Sequence, residues 1–599
     1  MKLHIPQRST PDSDSFPTHP RKVRKWLSQL PTANMGNTAR LVYDALISLN
    51  RQHMPPKHRL ENLEQFRKPL RLILDHLHKH FVNRSLPLPE KSTKIVNLNQ
   101  VLLREMSCGY KILISDASDS DNQIDDKTVV IAGNRAMQYM SELILRATQI
   151  YTEYPDGTWW DIHHIYTYME ARRLLDKQAK DEEAGHAITA EENYKRILLF
   201  SLARPHALRQ NEAERLFNKL PTWCPKVRID TNPIDLDSNF YFCAQPDTDR
   251  PPARLAREEI GNINHPRLID TSELVNHLRE HYENISSESD LSPLGEDQIS
   301  QETVNTILAS WNLQVKRRFS RADKSDKIRA IVGLKAIYHA VQEELEPQKE
   351  KSTQNDNMLS LSLIPEDQQN EHNSDGMLIT SPGLPTSHAD IDNWDLVARG
   401  NAISNAYIDN VKKADNKNPA QHKEEINQYW RIINISAGGF CLRWESEQAS
   451  RAQVGELIAI QEKQINQNTQ WRPGVIRWMQ YRQGHGLDVG IKVLSPKLSI
   501  ATVRRLNRPN EQPFESLLLP GIKPIHQPAT LLLPAHAFKI DDKISLHFFD
   551  RNIQVKLIKI LEHSGSFCQF QFAPIQAVKQ SIKTDNKNTE NFDSIWSSL

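Results

Sequence analysis

No uninterrupted apolar stretch in the 599 residues approaches the roughly 20 that a helix needs to cross a bilayer, so the sequence offers no transmembrane helix. An excess of one charge is missing as well. Lys and Arg total 75 against 74 for Asp and Glu, a formal net charge of +1. A chain without a general field has nothing to draw it onto DNA or RNA, and a phosphorylated ligand would have to be held by a local basic cluster. Cysteine is scarce: Cys108, Cys224, Cys243, Cys441 and Cys568 are odd in number, widely spaced and form no C-x-x-C pair. That argues against a disulfide framework and a thiolate zinc site, and fits reduced thiols in the cytoplasm. The first residues, Met1 to Pro6, lack the basic end and apolar core of a secretory signal.

Patterns of catalysis are also lacking. No paired acid and base, phosphate-cradling glycine loop or metal constellation stands out, and the chain is expected not to be an enzyme. His163 and His164 sit beside Trp159 and Trp160, but adjacent residues do not stack on one side of a helical turn and make poor joint ligands. Cys224 has no identifiable histidine partner. The acidic run Ser115 to Asp126 lacks the glycine and terminal glutamate of a calcium loop and reads as a solvated loop.

What is present divides into roughly three to five units by length. Residues 1–33, with the basic run Arg21, Lys22, Arg24 and Lys25, read as a flexible tail, either solvated or docking a partner. Residues 34–312 are mainly helical. Leu41, Val42, Ala45, Leu46 and Leu49 share one helical face, with Asn34 and Asn37 as plausible caps. Leu63, Phe66, Leu70, Ile73, Leu74 and Leu77 form a second stripe, interrupted by Pro69. Further helices are expected at about 101–114, 134–150, 160–175, 189–202 and 205–216. Short connections suit an irregular α-solenoid or a bundle, with no clean repeat of 34 residues. Residues 227–242 read equally as a short strand excursion or a loop.

The run Lys316-Arg317-Arg318-Phe319-Ser320-Arg321 is the densest basic cluster of the second half. It is either a solvated face or a grip on phosphate, for which the rigid donor fork of Arg is suited. Ile328, Ala330 and Val332 alternate as in a strand. Residues 346–390 are a polar, disordered insertion by composition. From Tyr429 short strands return: Tyr429 to Trp444 around Asn434-Ile435-Ser436-Ala437-Gly438-Gly439, then about 457–462, 474–479 and 487–494. Short strands with glycine-bearing turns indicate a closed antiparallel barrel.

These residues resemble the PilZ domain family. Asn434-Ile435-Ser436-Ala437-Gly438-Gly439 matches its second signature, Asp or Asn, x, Ser, x, x, Gly, and Val475-Ile476-Arg477-Trp478 with Val489-Gly490-Ile491 look like its closing strands. Its first signature, Arg-x-x-x-Arg, is fitted by Arg317 to Arg321, although more than one hundred residues separate the two here. A long insertion is tolerable because loop closure cost grows slowly with length. The resemblance implies a barrel split into 313–345 and 391–500, and cyclic di-GMP as ligand. Arg317 and Arg321 would grip phosphate and stack on guanine, with Arg318 in support. Asn434 and Ser436 would bond the ligand, and Gly438 and Gly439 would permit its close approach. Arg477 either faces the site or decorates the barrel.

Residues 501–576 alternate again and are expected to form a second barrel-like domain, a degenerate PilZ-like one without either signature. Residues 577–599 are a polar tail. The expected whole is a multidomain α+β chain: helical half, PilZ-like barrel, second barrel. Two functions fit it: a cyclic di-GMP receptor whose helical half engages an unknown protein partner, or a structural adaptor with a degenerate, non-binding barrel.

Overall fold

The computed structural model describes residues 2–11, 15–119, 124–180, 188–231, 239–283, 299–312, 321–345, 429–463, 469–508, 510–521, 527–548 and 551–575. The insertion at 346–390 and the tail at 577–599 lie outside them. Chain order begins with helices α1 (Pro20–Leu27), α2 (Met35–Asn50), α3 (Pro56–His78), α4 (Glu90–Ser118), α5 (Asp126–Gln149) and α6 (Thr158–Ala171). A two-stranded ribbon, β1 (Gln178–Ala179) with β2 (Ile188–Thr189), leads to α7 (Ala190–Leu202) and α8 (Gln210–Trp223).

The helices form where the apolar spacing placed them. Val42, Ala45, Leu46 and Leu49 are buried on α2, and the Asn34 side chain caps it by accepting from the Asn37 amide at 3.1 Å. Thr189 and Glu192 form a capping box at the start of α7. Pro69 is accommodated inside an otherwise continuous α3. The acidic run is shorter than expected, because α4 continues through Ser118 and its Asp116 is buried against Arg8 at 2.6 and 2.8 Å.

The first 33 residues depart from the expected flexible tail. Leu3 and Val23 join the helical core, and the His4 amide donates to Asp161 at 3.0 Å. Isolated apolar residues in a polar segment carry no periodicity, so their docking is not visible in sequence. The basic run rides on the exposed face of α1.

Of residues 227–242, left open between strand and loop, the described ones are mainly strand, at 228–230 and from 240 onward, and 232–238 lie outside the described residues. β3 (Arg228–Asp230), β4 (Phe240–Ala244), β5 (Ala253–Ala256) and, after the short α9 (Arg257–Ile260), β6 (Arg267–Asp270) form an antiparallel sheet in the order β3-β6-β4-β5. Phe242, Ala244 and Ile269 pack into the helical core together with α10 (Ser272–Glu283) and α11 (Gln301–Trp311).

The middle domain uses β7 (Ala322–Asp323) and β8 (Lys327–Val332), then α12 (Leu334–Leu345), then β9 (Tyr429–Ser436), β10 (Gly439–Trp444), β11 (Leu457–Lys463), β12 (Thr469–Arg482) and β13 (Gly486–Val493). The order β10-β13-β12-β11-β8-β9, closed by the β9–β10 hairpin, is a six-stranded antiparallel barrel, with β7 added outside on β9. Trp430, Ile432, Leu442, Ile458, Ile476 and Val489 fill it. The strand before the insertion therefore pairs with strands after it, in a single barrel.

The last domain is a second closed barrel of β14 (Ser499–Arg505), β15 (Phe514–Leu519), β16 (Thr530–Pro534), β17 (Lys543–Phe548), β18 (Arg551–His563) and β19 (Phe567–Pro574), in the order β14-β15-β16-β19-β18-β17. Helix α12 lies between the two barrels. Its Leu334, Ile337 and Val341 share one apolar cluster with Leu457 and Val475 of the first barrel and Leu517, Leu532 and Phe567 of the second. The helical half is joined to both. Tyr151 and Leu86 enter the core of the middle barrel, and Arg209 donates to the Val454 carbonyl at 2.9 Å while its guanidinium lies against Gly455 and Gly565.

Candidate functional site

The β9–β10 hairpin turns at Ala437 and Gly438, with Ser436 opposite Gly439 and Asn434 opposite Cys441. Asn434 and Ser436 thus lie on a strand rather than in the turn itself. Alternate strand residues share a face, and this pair looks outward. The Ser436 hydroxyl donates to the Gly439 carbonyl at 3.3 Å and closes the hairpin.

On the other side of β9, β7 brings Ala322 opposite Ile435 and Asp323 opposite Asn434. One residue earlier, exposed Arg321 comes level with Ser436. Its charge reaches the trough between the strands: burial pushes the Cys441 thiol up to about 11, Asp488 adds to the shift, and Arg321, Arg443 and Arg482 oppose it. Arg321, Asn434 and Ser436 therefore converge on one edge of the barrel. Arg317 and Arg318 lie outside the described residues.

Of the two glycines, Gly439 is explained by strand packing. Neither takes a positive φ. A Cβ at Gly439 would lie 1.9 Å from the Ile491 carbonyl oxygen, so β13 occupies the space that a side chain would need. The Gly438 carbonyl accepts from the Val493 amide at 3.1 Å, which ties the turn to the same strand.

The register extends the edge into a surface. Asp323, Asn434, Cys441, Gly490 and Trp478 are successive cross-strand partners across β7, β9, β10, β13 and β12. Partners in register share a face. Cys441 forms a low floor between Asn434 and the Trp478 indole, which covers Gly490. On one flank, Lys492 stands opposite Gly439. On the other, Arg443 grips the buried carboxylate of Asp488 at 2.6 and 2.8 Å, and Arg482 reaches it at 3.3 Å. The surface offers cations, an amide, a hydroxyl and an aromatic ring, a combination suited to a ligand with phosphates and heteroaromatic edges.

A β-bulge at Ile476/Trp478 turns two successive residues outward. Trp478 lies over Gly490. Arg477 neither lines the trough nor simply decorates the barrel, but donates to Glu562 of the second barrel at 2.7 Å. Trp478, Lys492 and the Arg443–Asp488–Arg482 cluster were missed by motif reasoning. The available signal was Gly490, since a glycine inside a strand marks a bulge or the close approach of another group.

Other singled-out residues are structural. His163 is buried, with ring nitrogens 2.8 Å from the Tyr194 hydroxyl and 3.0 Å from the Arg250 carbonyl, and burial lowers its pKa to about 4. His164 stacks on Trp160. Cys224 is buried, and its thiol is pushed up to about 12. Among the described residues, no three His, Cys, Asp or Glu side chains are placed to hold a metal, and no helix is long and apolar enough to cross a membrane.

A six-stranded barrel carrying the Asn434–Gly439 hairpin beside Arg321 is a PilZ domain, here set between a helical half and a second barrel. The family models resolve this further. Residues 21–233 match the N-terminal domain of the cyclic-di-GMP receptor FimW, 241–499 its middle PilZ domain, and 498–575 its C-terminal beta-barrel domain. The chain belongs to this family. The middle match starts well before the arginine cluster and takes in β4 to β6, α10 and α11. A curated relative, the cyclic-di-GMP receptor FimW of Pseudomonas aeruginosa, is 25% identical over 631 residues, an alignment spanning 100% of this chain and 99% of the relative. No solved structure matches the chain.

Proposed function

We propose that the protein is a cytoplasmic cyclic di-GMP receptor that passes ligand binding in the middle barrel to a protein partner engaged by its helical half. The observation that carries this reading is the convergence of Arg321 with Asn434 and Ser436 on one outward edge of the barrel. Arg321 and the upstream Arg317 and Arg318 supply charge and flat donor forks for phosphate and for the faces of guanine. Asn434 and Ser436 bond base edges or phosphate oxygens. The relative's printed name supports the choice of ligand.

Calorimetric titration of the purified full chain with cyclic di-GMP tests it. The expected result is saturable binding, weakened about 10- to 100-fold by Arg321→Ala, in line with hydrogen bonds to charged groups of about 1.5–3 kcal/mol. Combining Arg321→Ala with Arg317→Ala should weaken it further. Absence of saturable binding by the parent protein overturns the receptor reading and leaves the barrel as a structural adaptor.

A further inference from the structure

Strand β18 of the C-terminal barrel contains two β-bulges, and each turns an apolar side chain outward. Leu557 pairs with Phe572 and Lys559 with Gln571, which leaves Ile558 as the extra residue. Ile560 pairs with Phe570 and Glu562 with Gln569, which leaves Leu561. The barrel core takes Val555 and Leu557 from this strand and uses neither bulged residue. The turn before β17 reaches the first bulge. There the Asp541 amide donates to the Leu557 carbonyl at 2.8 Å and the Leu557 amide to the Asp542 carbonyl at 3.0 Å, which brings Ile540 alongside. Ile540, Ile558 and Leu561 are 41, 40 and 44% exposed, and they are three of the six large apolar side chains that stand exposed among the described residues. Single exposed apolar residues need no explanation, whereas three gathered by two bulges do. Lys539 and Lys559, next in sequence to Ile540 and Ile558, are exposed as well. Neither has an ion-pair partner among the described residues, while Lys556 is held by Asp541 at 2.6 Å.

The complement to this patch is written in residues 590–599 of the same chain. Phe592, Ile595, Trp596 and Leu599 recur there at i, i+3, i+4 and i+7, and the only charges are those of Glu590 and Asp593. We propose that residues 590–599 dock on the patch of their own chain, with the apolar four on Ile540, Ile558 and Leu561 and the two carboxylates toward Lys539 and Lys559. The reach is sufficient. Pro574 stands opposite Val555, and the Ile575 amide donates to the Gln554 carbonyl at 2.9 Å. Ile558 therefore lies about 13 Å along β18 from the point where β19 ends. Residues 576–589 separate that point from the docking segment, and a random coil of their length spans about 20 Å. A tether matched to its span presents the segment at an effective concentration on the order of millimolar, so modest contacts suffice to seat it. Docked there, the segment covers an apolar face that would otherwise favour association between copies. The proposal is independent of the receptor reading, since the patch and the segment both lie outside the middle barrel.

The test is photo-cross-linking of the full chain with benzoylphenylalanine in place of Trp596, at low protein concentration, with the adducts mapped by mass spectrometry. The expected adducts are within one chain and fall at 539–542 and 557–562. Ile558→Ser combined with Leu561→Ser should lower their yield about tenfold or more, the worth of two half-exposed apolar side chains. The pair points to solvent, so the variant should melt with the parent. Lys539→Glu combined with Lys559→Glu should lower the yield too, and adding Glu590→Lys with Asp593→Lys should restore it. Adducts elsewhere in the chain, adducts between copies, or none at all would overturn the proposal. So would a yield that the serine pair leaves unchanged. Should the serine variant fail to fold, the charge reversal decides, and a yield that the second reversal does not restore overturns the docking.

Discussion

Gly439→Ala separates two roles that one motif position could have. If the glycine exists to let a ligand approach, alanine should spare the barrel and damage binding. The structure assigns the other role. The new Cβ would sit 1.9 Å from the Ile491 oxygen, 3.0 Å from its carbonyl carbon and 3.4 Å from the Lys492 Cα, all backbone atoms that no rotamer change can move away. Restoring ordinary contact, at about 3.4 Å, requires β10 and β13 to part by about 1.5 Å, a third of the normal strand spacing. That separation breaks the Gly438–Val493 hydrogen bond and strains the pairing of Gly439 with Lys492. Overpacking of about 1–3 kcal/mol and one or two hydrogen bonds of about 1 kcal/mol each sum to about 2–5 kcal/mol. Thermal melting should fall, and amide exchange should accelerate in β10 and β13 before it does in the C-terminal barrel. Loss of cyclic di-GMP binding with melting and exchange unchanged would refute the reasoning and return Gly439 to the ligand.

Three further outcomes follow from contacts elsewhere. His163 is neutral in the fold, with a pKa of about 4 against an ordinary 6.5, so the unfolded chain binds the extra proton between those values. Its contribution to stability is complete above pH 6.5 and is lost as pH falls toward 4, by about 3 kcal/mol; His163→Gln should flatten melting temperature against pH in that window. Arg477→Glu and Glu562→Arg should each loosen the junction of the two barrels, and the double variant should restore it. A coupling of about 1–2 kcal/mol is expected for a partly exposed pair, measured by proteolysis between β13 and β14. Arg209→Ala should leave the Val454 carbonyl without its donor and open the seam between Gly455 and Gly565. A loss of about 1–3 kcal/mol is expected, and cleavage rates equal to the parent's would contradict it.

Much of this architecture is legible in sequence because it rests on local periodicity. The α2 and α3 stripes mark their own buried faces, and the Asn434–Gly439 hairpin identifies its barrel by residue type and spacing. What escaped depends on pairing across distance. The row from Asp323 to Trp478 draws on five strands, and only register reveals that Trp478 and Asn434 face the same way. The docking of Leu3 and Val23 is equally silent, since a single apolar residue has no period. The glycine pair was visible, but its reason was not: the oxygen that demands Gly439 belongs to a strand some fifty residues later.

Strand β12 carries a consequence for how this architecture can change over evolutionary time. Within a few residues it sends Arg477 to the C-terminal barrel, Trp478 to the outer trough, and Gln480 and Tyr481 to Glu153 and Tyr151 of the helical half. An insertion or deletion of one residue between Gly474 and Arg477 would shift the register of the strand and turn the outward side chains beyond it toward the barrel interior. The loops around the barrel are free to drift in length, whereas this stretch is not. A chimaera that imports a middle barrel from a distant relative must import matching contacts on both neighbouring domains with it.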